Sequence, residues 1–476
     1  MDITPLTQAI GTHSPKRALI IIAIDIVLFL ILYFILPYLT SIGILPDFMI
    51  IDKKASAGIC LLVFIGILWL TEAIHVTITA LLIPILAVAL GLMNANNALK
   101  SFADPIIFLF FGGFALATAL HIQGLDRYIA NKMVALANGR VWLAVIMLFL
   151  TTAILSMWIS NTATAAIMLP LALGILSNLD SQKDRKTFLF VLLGIAYSAS
   201  IGGFGTLVGS PPNAIAAQAL GINFFDWMKL GIPFMLVTLP SCIFLMFIVL
   251  RPNLNKKFNI QLETMQWDIH KIVAIVIFLL TAITWIFSSK ISAYFGGIKD
   301  LDSLIAIAAA VAIGFSGVAS WNQIQKNTEW GVLWLFGGGL ALSGILKNSG
   351  ASEVMANGMA NLFGSGTSSW LVIIIAVATF IIFLTEFTSN TASAALLVPI
   401  FATVGEAIGM PTALLTLIIG FGASCAFMLP VATPPNAIVF GTGYIKQIEM
   451  IKVGIWLNLL CIAIVSTFAW FIWQFV

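Results

Sequence analysis

The sequence SNTATAAIMLP at 160–170 returns as SNTASAALLVP at 389–399, 229 residues later. In each copy a Ser-Asn-Thr triplet joins two long apolar runs, at about 141–177 and 369–409. Because Ser, Thr and Asn cap helix N-termini, each triplet predicts the start of the Ala-rich helix that follows it. A link of so few polar residues is too short to carry the chain out of a bilayer and back. We therefore predict that each pair of runs is a re-entrant hairpin with its tip inside the membrane.

The composition is that of an all-α polytopic membrane protein. Of 476 residues, 61% are hydrophobic and 9% are charged, and the mean hydropathy is +1.09. Soluble domains carry about 25% charged residues, so a large soluble domain is excluded. The net charge of +3 indicates no nucleic-acid-binding surface. The four cysteines and four histidines are scattered, without CxxC or HExxH spacing, so no disulfide framework, metal site or catalytic constellation is predicted, and we do not expect an enzyme.

Two further motifs occur twice in the same order. GGFALATAL at 112–120 matches GGLALSGIL at 338–346, and GSPPN at 209–213 matches ATPPN at 432–436. We therefore divide the chain into an N-terminal segment with the first transmembrane helix, two homologous repeats that each contain one hairpin, and a polar cytoplasmic linker between them. In chain order these are residues 1–55, the first repeat 56–250, the linker 251–271, and the second repeat 272–476.

The distribution of basic residues predicts the topology. If both hairpins are re-entrant, eleven transmembrane helices remain, five of them in each repeat. Because five is odd, consecutive repeats must have opposite orientations, which is the inverted-repeat architecture of secondary transporters. With the N-terminus inside, 15 of the 22 Lys and Arg residues fall on the cytoplasmic side and seven outside. The positive-inside rule then predicts a cytoplasmic N-terminus and an external C-terminus in the cell (inner or plasma) membrane.

The repeated motifs predict anion and cation sites. Two hairpin tips would present two helix N-termini, whose free N–H groups and dipoles attract anions. The Pro-Pro pairs at 211–212 and 434–435 should break their helices and free carbonyl oxygens, which with hydroxyl and amide oxygens bind hard cations. One oxygen cage can be written for each repeat: Ser156, Ser160, Asn161 and Gly209 in the first, and Thr385, Thr388, Asn390 and Ala432 in the second. Neither cage contains a carboxylate, which favours a monovalent ion such as Na⁺.

Acidic residues within apolar runs are candidates for function by default. Asp25 lies in the first span and outside the repeat, which favours a structural or interfacial role. Glu72 and His75 fall near a predicted membrane boundary. Glu386 has Met157 as its partner in the repeat, so it is not part of a symmetric site. We therefore do not expect these residues to form a proton relay.

With these motifs, the sequence resembles the divalent anion/sodium symporter family, the sodium-coupled dicarboxylate and citrate transporters. The resemblance rests on the paired Ser-Asn-Thr tips, the paired Pro-Pro-Asn motifs and their order, and covers about 18–475. It implies a homodimer in which each protomer has a scaffold domain and an elevator-type transport domain that contains both hairpins. It also implies that the two oxygen cages are Na⁺ sites and that six residues bind the substrate: Asn161, Thr162, Asn390, Thr391, Thr433 and Pro434.

The resemblance implies a secondary active transporter that imports C4-dicarboxylates such as succinate, malate and fumarate together with Na⁺. Some relatives exchange dicarboxylates without sodium, so a sodium-independent exchanger and a citrate or sulfate transporter are open alternatives. An anion channel is a further alternative, but a channel would not need paired cation cages.

Overall fold

The helices follow the apolar runs of the sequence. We describe a computed structural model over residues 15–42, 51–177, 179–256, 265–363 and 370–475, and these ranges contain no β-strand. Several predicted segments lie partly outside the described residues. They are the N-terminal segment, the linker 251–271, the second hairpin at residue 369, and the C-terminal Val476. Where a membrane supplies no hydrogen-bond partners, the helix satisfies its backbone internally, which is why apolar runs of this length become helices.

The described residues form 22 α-helices, which we number in chain order. The first repeat and the segment before it contain α1 Pro15–Ser41, α2 Lys53–Thr71, α3 Val76–Ala89, α4 Ala95–Lys100, α5 Pro105–Ile122, α6 Leu125–Ala135, α7 Val141–Ser156, α8 Asn161–Leu176, α9 Arg185–Gly202, α10 Pro211–Leu220 and α11 Phe224–Leu250. The second repeat contains α12 Ile269–Ile286, α13 Ser288–Tyr294, α14 Leu301–Phe315, α15 Trp321–Asn327, α16 Trp330–Asn348, α17 Ala351–Phe363, α18 Trp370–Leu384, α19 Asn390–Ala407, α20 Thr412–Gly422, α21 Pro434–Phe440 and α22 Gln447–Phe471.

Eight helical segments in the described ranges are long and apolar enough to cross a membrane. Three of the four helices in the predicted hairpins fall short of this length, since α7 and α8 have 16 residues each and α18 has 15. At 1.5 Å per residue, 16 residues extend about 24 Å, less than the ~30 Å of a hydrocarbon core. The eleven spans, the re-entrant course of the hairpins and the inversion of the repeats stay predictions.

The packing divides the chain into two compact units, neither of which coincides with a repeat. Unit A comprises Met1–Ile107, Trp330–Ala423 and Val465–Val476, and unit B comprises Phe108–Glu329 and Ser424–Ile464. Each unit takes segments from both repeats. The first predicted hairpin lies in unit B and the second lies in unit A.

In unit A, α16 packs closely against α3. A β-carbon at Gly338 would come within 2.6 Å of the Ala80 side chain, and one at Gly337 would come within 2.3 Å of the Phe102 ring. Gly338, the first residue of the GGLALSGIL motif, therefore allows α16 to approach α3 closely, and Gly337 allows it to approach the turn that carries Phe102, as small residues do in membrane helix pairs.

In unit B, α9 is the central helix, and every residue from Thr187 to Gly202 is buried. It packs against α7, α8, α11 and α21. Its first residue, Arg185, holds the start of α22 through two parallel hydrogen bonds to the Glu449 carboxylate, at 2.7 and 2.6 Å. A fixed α9 positions the residues that follow it, which carry the first Pro-Pro-Asn motif.

The Pro-Pro pairs are found where helices begin, and this corrects the sequence-based expectation that they break their helices. Pro211 is the first residue of α10 and Pro434 is the first of α21. The missing N–H group costs no hydrogen bond in a first helical turn. The preceding helices end earlier, at Gly202 and Gly422. The irregular backbone thus lies upstream of each Pro-Pro pair.

Candidate functional site

The tip of the first hairpin is a helix N-terminus in unit B. α7 ends at Ser156, and after a short link Ser160 caps α8, its Oγ accepting from the Ala163 N–H at 3.4 Å. In unit A, Ser389 caps α19 in the same way and accepts from the Ala392 N–H at 3.4 Å. Both Ser-Asn-Thr triplets therefore start helices, as the sequence predicts.

The first predicted cage is a cluster of oxygen atoms behind this tip. The Ser156 Oγ lies 2.6 Å from the Asn161 amide and 2.7 Å from the Ala199 carbonyl oxygen. When the nitrogen of this amide faces inward, it lies 2.6 Å from the Ser156 Oγ and also 3.1 Å from the Gly209 carbonyl oxygen. The structure thus brings together Ser156, Asn161 and Gly209, and it adds the Ala199 carbonyl, which sequence reasoning missed. Ser160, the fourth predicted ligand, caps α8 beside them.

Glycine is required around this cluster because backbone oxygens converge there. A β-carbon at Gly209 would lie 2.5 Å from the Gly203 carbonyl oxygen and 2.9 Å from that of Ser156. A β-carbon at Gly203 would lie 2.9 Å from the Gly209 carbonyl oxygen and 2.7 Å from the Asn161 side chain. Any side chain at either position would fill the cradle that these oxygens form.

In unit A, the second repeat builds the same arrangement. The Thr385 Oγ1 lies 2.6 Å from Asn390 Oδ1 and 2.8 Å from the Ala423 carbonyl oxygen. These two distances match those at Ser156 to within 0.1 Å. Thr388 lies beside them and shares a 2.7 Å hydrogen bond with Ser393. Ala432, the fourth residue predicted for this cage, belongs to unit B, so the structure places the second set in both units.

The first cluster has fewer hydrogen-bond donors than oxygen acceptors when the Asn161 oxygen faces inward. The Ser156 hydroxyl has one proton but faces two acceptors, Asn161 Oδ1 and the Ala199 carbonyl oxygen. If the Asn161 amide turns its nitrogen inward, it donates to the Ala199 and Gly209 carbonyls at 3.0 and 3.1 Å. If its oxygen faces inward, the oxygens repel one another unless a cation lies between them. The amide can therefore close the cluster or complete a cation cage.

The Asn of each Pro-Pro-Asn motif fixes the irregular backbone upstream. The Asn213 Nδ2 donates to the Gly203 and Thr206 carbonyls, both at 2.7 Å. The Asn436 Nδ2 donates to the Ala426 and Leu429 carbonyls, at 3.2 and 3.0 Å. Both Oδ1 atoms are buried without a hydrogen-bond partner among the described residues. The sequence analysis missed these clamps, although the repeated Asn was their signal.

The six residues that the resemblance assigns to the substrate fall in both units. Asn161, Thr162, Thr433 and Pro434 lie in unit B, and Asn390 and Thr391 lie in unit A. Thr433 caps α21 and accepts from the Asn436 N–H at 3.3 Å. Asn161, Thr162 and their repeat partners are half-buried at the starts of their helices, so their polar groups remain accessible to a ligand.

A cavity of about 660 Å³ in unit B leads along α8 to the first tip. It begins at Ser160 and Thr162 and follows one face of the helix, since the lining positions recur at steps of three and one. These positions are Ala163, Ala166, Ile167, Pro170, Leu171 and Gly174. The polar residues that line the rest of the cavity are Thr118, His121, Arg127, Asn131, Asn327 and Glu329.

The cavity carries charges of both signs. His121 lies 2.8 Å from the Asp126 carboxylate, which is fully buried, and Arg127 forms no ion pair with the residues described. The Glu329 carboxylate and the Ser160 hydroxyl line the same cavity. Although the surface of Glu329 is open to the cavity, the surrounding protein desolvates this carboxyl and raises its pKa, and the nearby Ser160 hydroxyl partly offsets the rise. Sequence reasoning missed Glu329, which lies 169 positions from Ser160 in the chain.

The acidic candidates and His75 lie at the following places in the fold. Asp25 is buried on α1, and neither of its oxygens has a hydrogen-bond partner in the described part of the chain. Glu72 ends α2, and His75 caps α3. Glu386 is buried between α18 and α19 in the sequence. Across the described residues, no three His, Cys, Asp or Glu side chains form a group that could hold a metal ion.

Comparison with known proteins identifies the family. The family model described as "Citrate transporter" (CitMHS) matches residues 66–420. An uncharacterized transporter of Haemophilus influenzae is 56% identical, over 97% of this chain and 98% of its own. The sodium-dependent dicarboxylate transporter SdcS of Staphylococcus saprophyticus is 33% identical, over 88% of this chain and 87% of its own.

Solved structures show a similar fold at low sequence identity. The Alcanivorax borkumensis YdaH transporter aligns with a TM-score of 0.53 and 14% identity, covering 78% of this chain and 85% of the other. The chain is therefore a transporter of the citrate transporter family, and its predicted membership of the divalent anion/sodium symporter family is confirmed.

Proposed function

We propose that the protein imports C4-dicarboxylates such as succinate, malate and fumarate, and that Na⁺ drives this transport. One observation carries the proposal. Each repeat places a hydroxyl within 2.8 Å of both an Asn amide and an Ala carbonyl oxygen, at Ser156, Asn161 and Ala199 and again at Thr385, Asn390 and Ala423. Two such clusters, each beside a helix N-terminus, provide a cation site and an anion site in contact.

The ligand chemistry supports Na⁺ as the co-transported ion. The first cluster offers hydroxyl, amide and carbonyl oxygens and no carboxylate. Hard monovalent cations bind such neutral oxygens, whereas Ca²⁺ sites in proteins commonly include carboxylates. The glycine cradle at Gly203 and Gly209 leaves room among these oxygens. SdcS, whose name describes it as sodium-dependent, supports the same ion.

Charge balance supports coupling rather than passive binding. A C4-dicarboxylate carries two negative charges at neutral pH, because carboxyl pKa values lie well below 7. The six proposed substrate residues include no Lys or Arg, and each helix N-terminus supplies only about half a positive charge. Cations must provide the remaining charge of about one, and because each repeat has one oxygen cage we expect at least two Na⁺ per substrate.

The same amide links the two ligands. With its oxygen turned toward the cation, the Asn161 amide presents its N–H groups on the opposite side, where Thr162 and the start of α8 offer further donors. Cation binding thereby orients a donor for the substrate carboxylate, and we propose that Asn390 and Thr391 do the same in the second repeat. Thr433 and Pro434 are proposed to line the substrate site.

We propose an elevator-type mechanism in a homodimer, with the N-terminus in the cytoplasm and the C-terminus outside. The family resemblance supports the mechanism and the dimer, and the 15-to-7 distribution of basic residues supports the orientation. The short helices of the first hairpin support a re-entrant course, since about 24 Å does not cross the ~30 Å core.

Citrate is the second candidate substrate, because the matched family model is described as a citrate transporter. Uptake of radiolabelled succinate into proteoliposomes tests both possibilities. We expect accumulation against a succinate gradient only with an inward Na⁺ gradient, and weaker inhibition by unlabelled citrate than by unlabelled succinate. Stronger inhibition by citrate would reassign the substrate, and equal uptake in Na⁺ and choline would refute sodium coupling.

A matched pair of variants connects this assay to the cluster. Ser156→Ala removes the hydroxyl between Asn161 and Ala199 and should raise the sodium concentration for half-maximal uptake. Ser241→Ala is the control, because among the residues described the Ser241 hydroxyl bonds only to the Val237 carbonyl of its own helix. If the two variants behave alike, the cluster is not the sodium site.

A further inference from the structure

We propose that the Glu329 carboxylate competes with the substrate for the tip of the first hairpin and thereby limits substrate affinity. This inference rests on the proposed function, since it concerns the same anion site. It assigns a role in specificity to a residue that neither the repeat motifs nor the family resemblance singles out.

Local structure sets the backbone beside Glu329, which lines the cavity. Glu329 follows α15, whose start is fixed by a capping box between Ser320 and Gln323. The adjacent Thr328 is buried, and its hydroxyl donates to the Ile324 carbonyl at 2.8 Å. These contacts set the backbone on which Glu329 stands, so its side chain has a defined route to the tip.

The Glu329 carboxylate lies near the start of α8, where we propose that the substrate carboxylate binds. It lies near the Ser160 hydroxyl in the cavity that both residues line, and Ser160 accepts a hydrogen bond from the Ala163 N–H at the start of α8. Glu329, Ser160, Thr162 and Ala163 all line the same cavity. Negative charge near a helix N-terminus is stabilised by the free N–H groups and the dipole. The protein therefore supplies its own carboxylate to the end of the helix that we assign to the substrate carboxylate.

The charge of Glu329 is not cancelled by a close ion pair. Among the described residues, no basic side chain lies within ion-pair distance of this carboxylate. His121 and Arg127 line the cavity, but His121 is paired with Asp126. A substrate dianion that reaches the tip must displace Glu329 from Ser160 or accept its repulsion, and either lowers the apparent affinity.

Glu329→Gln separates charge from shape, because the amide keeps the size of the side chain and can still bond to Ser160. Glu353→Gln is the matched control, since Glu353 is exposed in the first turn of α17 and its loss changes the net charge equally. The full-length purified protein would be titrated with succinate, citrate and sulfate at saturating sodium, and its thermal melting would be compared across variants.

We expect Glu329→Gln to bind succinate about five- to tenfold more tightly than the wild type, in the usual range for coupled binding. The control should change the affinity less than twofold. In a Ser160→Ala background, which removes the hydroxyl beside the carboxylate, the gain from Glu329→Gln should shrink. Succinate binding only by the Glu329→Gln variant would also support the proposal.

The other outcomes overturn it. Unchanged or weaker succinate binding by a Glu329→Gln variant that melts normally would refute competition. An increased sodium requirement in that variant would place Glu329 in the cation site instead. If the wild type binds citrate or sulfate but not succinate, the proposed substrate is wrong, and Glu329→Gln must still tighten the anion that binds. If no variant binds any of the three anions, both proposals are wrong.

Discussion

The Asn161→Asp substitution tests the link between sodium and substrate with the smallest change in shape. It replaces the amide nitrogen with an oxygen and adds a negative charge. The Asn161 amide lies within 3.1 Å of the Ser156 hydroxyl and the Ala199 and Gly209 carbonyl oxygens. An aspartate there cannot donate to either carbonyl, so the cluster is favourable only when a cation lies inside it. We therefore expect sodium to bind more tightly, or at least as tightly.

Substrate binding should change in the opposite direction. The substitution removes N–H donors to a substrate carboxylate, and a lost hydrogen bond to a charged group is worth roughly 1.5–3 kcal/mol. It also places a like charge near the dianion. At ~5 Å and an effective dielectric constant of ~20, each charge pair costs about 3 kcal/mol. Together these terms amount to at least about 4.5 kcal/mol, which predicts a loss of succinate affinity of about a thousandfold or more.

The assay separates the two ligands. Sodium binding is measured without substrate, as the rise in melting temperature with sodium concentration, which follows the mass action of a ligand that binds the folded state. Succinate affinity is then measured at saturating sodium. Asn96→Asp, at an exposed position on α4, is the control for the added charge and should leave both affinities unchanged. If Asn161→Asp weakens sodium and leaves succinate binding intact, the shared amide is refuted.

Four further results should follow from the structure. Ser156→Ala should chiefly raise the sodium concentration for half-maximal uptake, and Thr162→Ala should chiefly weaken succinate affinity, about ten- to a hundredfold. Because sodium and succinate affinities are linked reciprocally, each ligand is titrated while the other is saturating. If both variants shift the same affinity equally, these two roles are wrong. Gly209→Ala should abolish sodium-dependent uptake, because its β-carbon would lie 2.5 Å from the Gly203 carbonyl oxygen; normal uptake would show that the cradle is not the site. Initial uptake rates plotted against sodium should give a Hill coefficient above one, and a value of one would rule out two interacting sodium ions. Cysteines introduced beside Lys183 and Lys347 should be labelled from the cytoplasm and from outside, respectively, and labelling of both from one side would reject the hairpin topology.

Composition and local pattern were sufficient for the helical class and for the ends of many helices. Apolar runs must become helices in a membrane, because the backbone has no other partner there. The serines at 160 and 389 cap the helices that the triplets predict, since this capping needs only neighbours along the chain. The Pro-Pro pairs were misread because proline disrupts a helix interior but suits a first turn, and its position is set by where the previous helix ends.

The partners of the candidate site were decided by the tertiary structure. The Ala199 and Ala423 carbonyls complete the two clusters, but a backbone oxygen in an apolar run has no side chain to mark it in the sequence. Glu329 meets Ser160 only because the fold brings together residues 169 positions apart. The sequence determined by itself the repeated motif, and with it the hydroxyl and amide of each cluster, since those depend on local spacing. The acceptors that face them, and the carboxylate at the tip, depend on long-range packing, which local pattern does not specify.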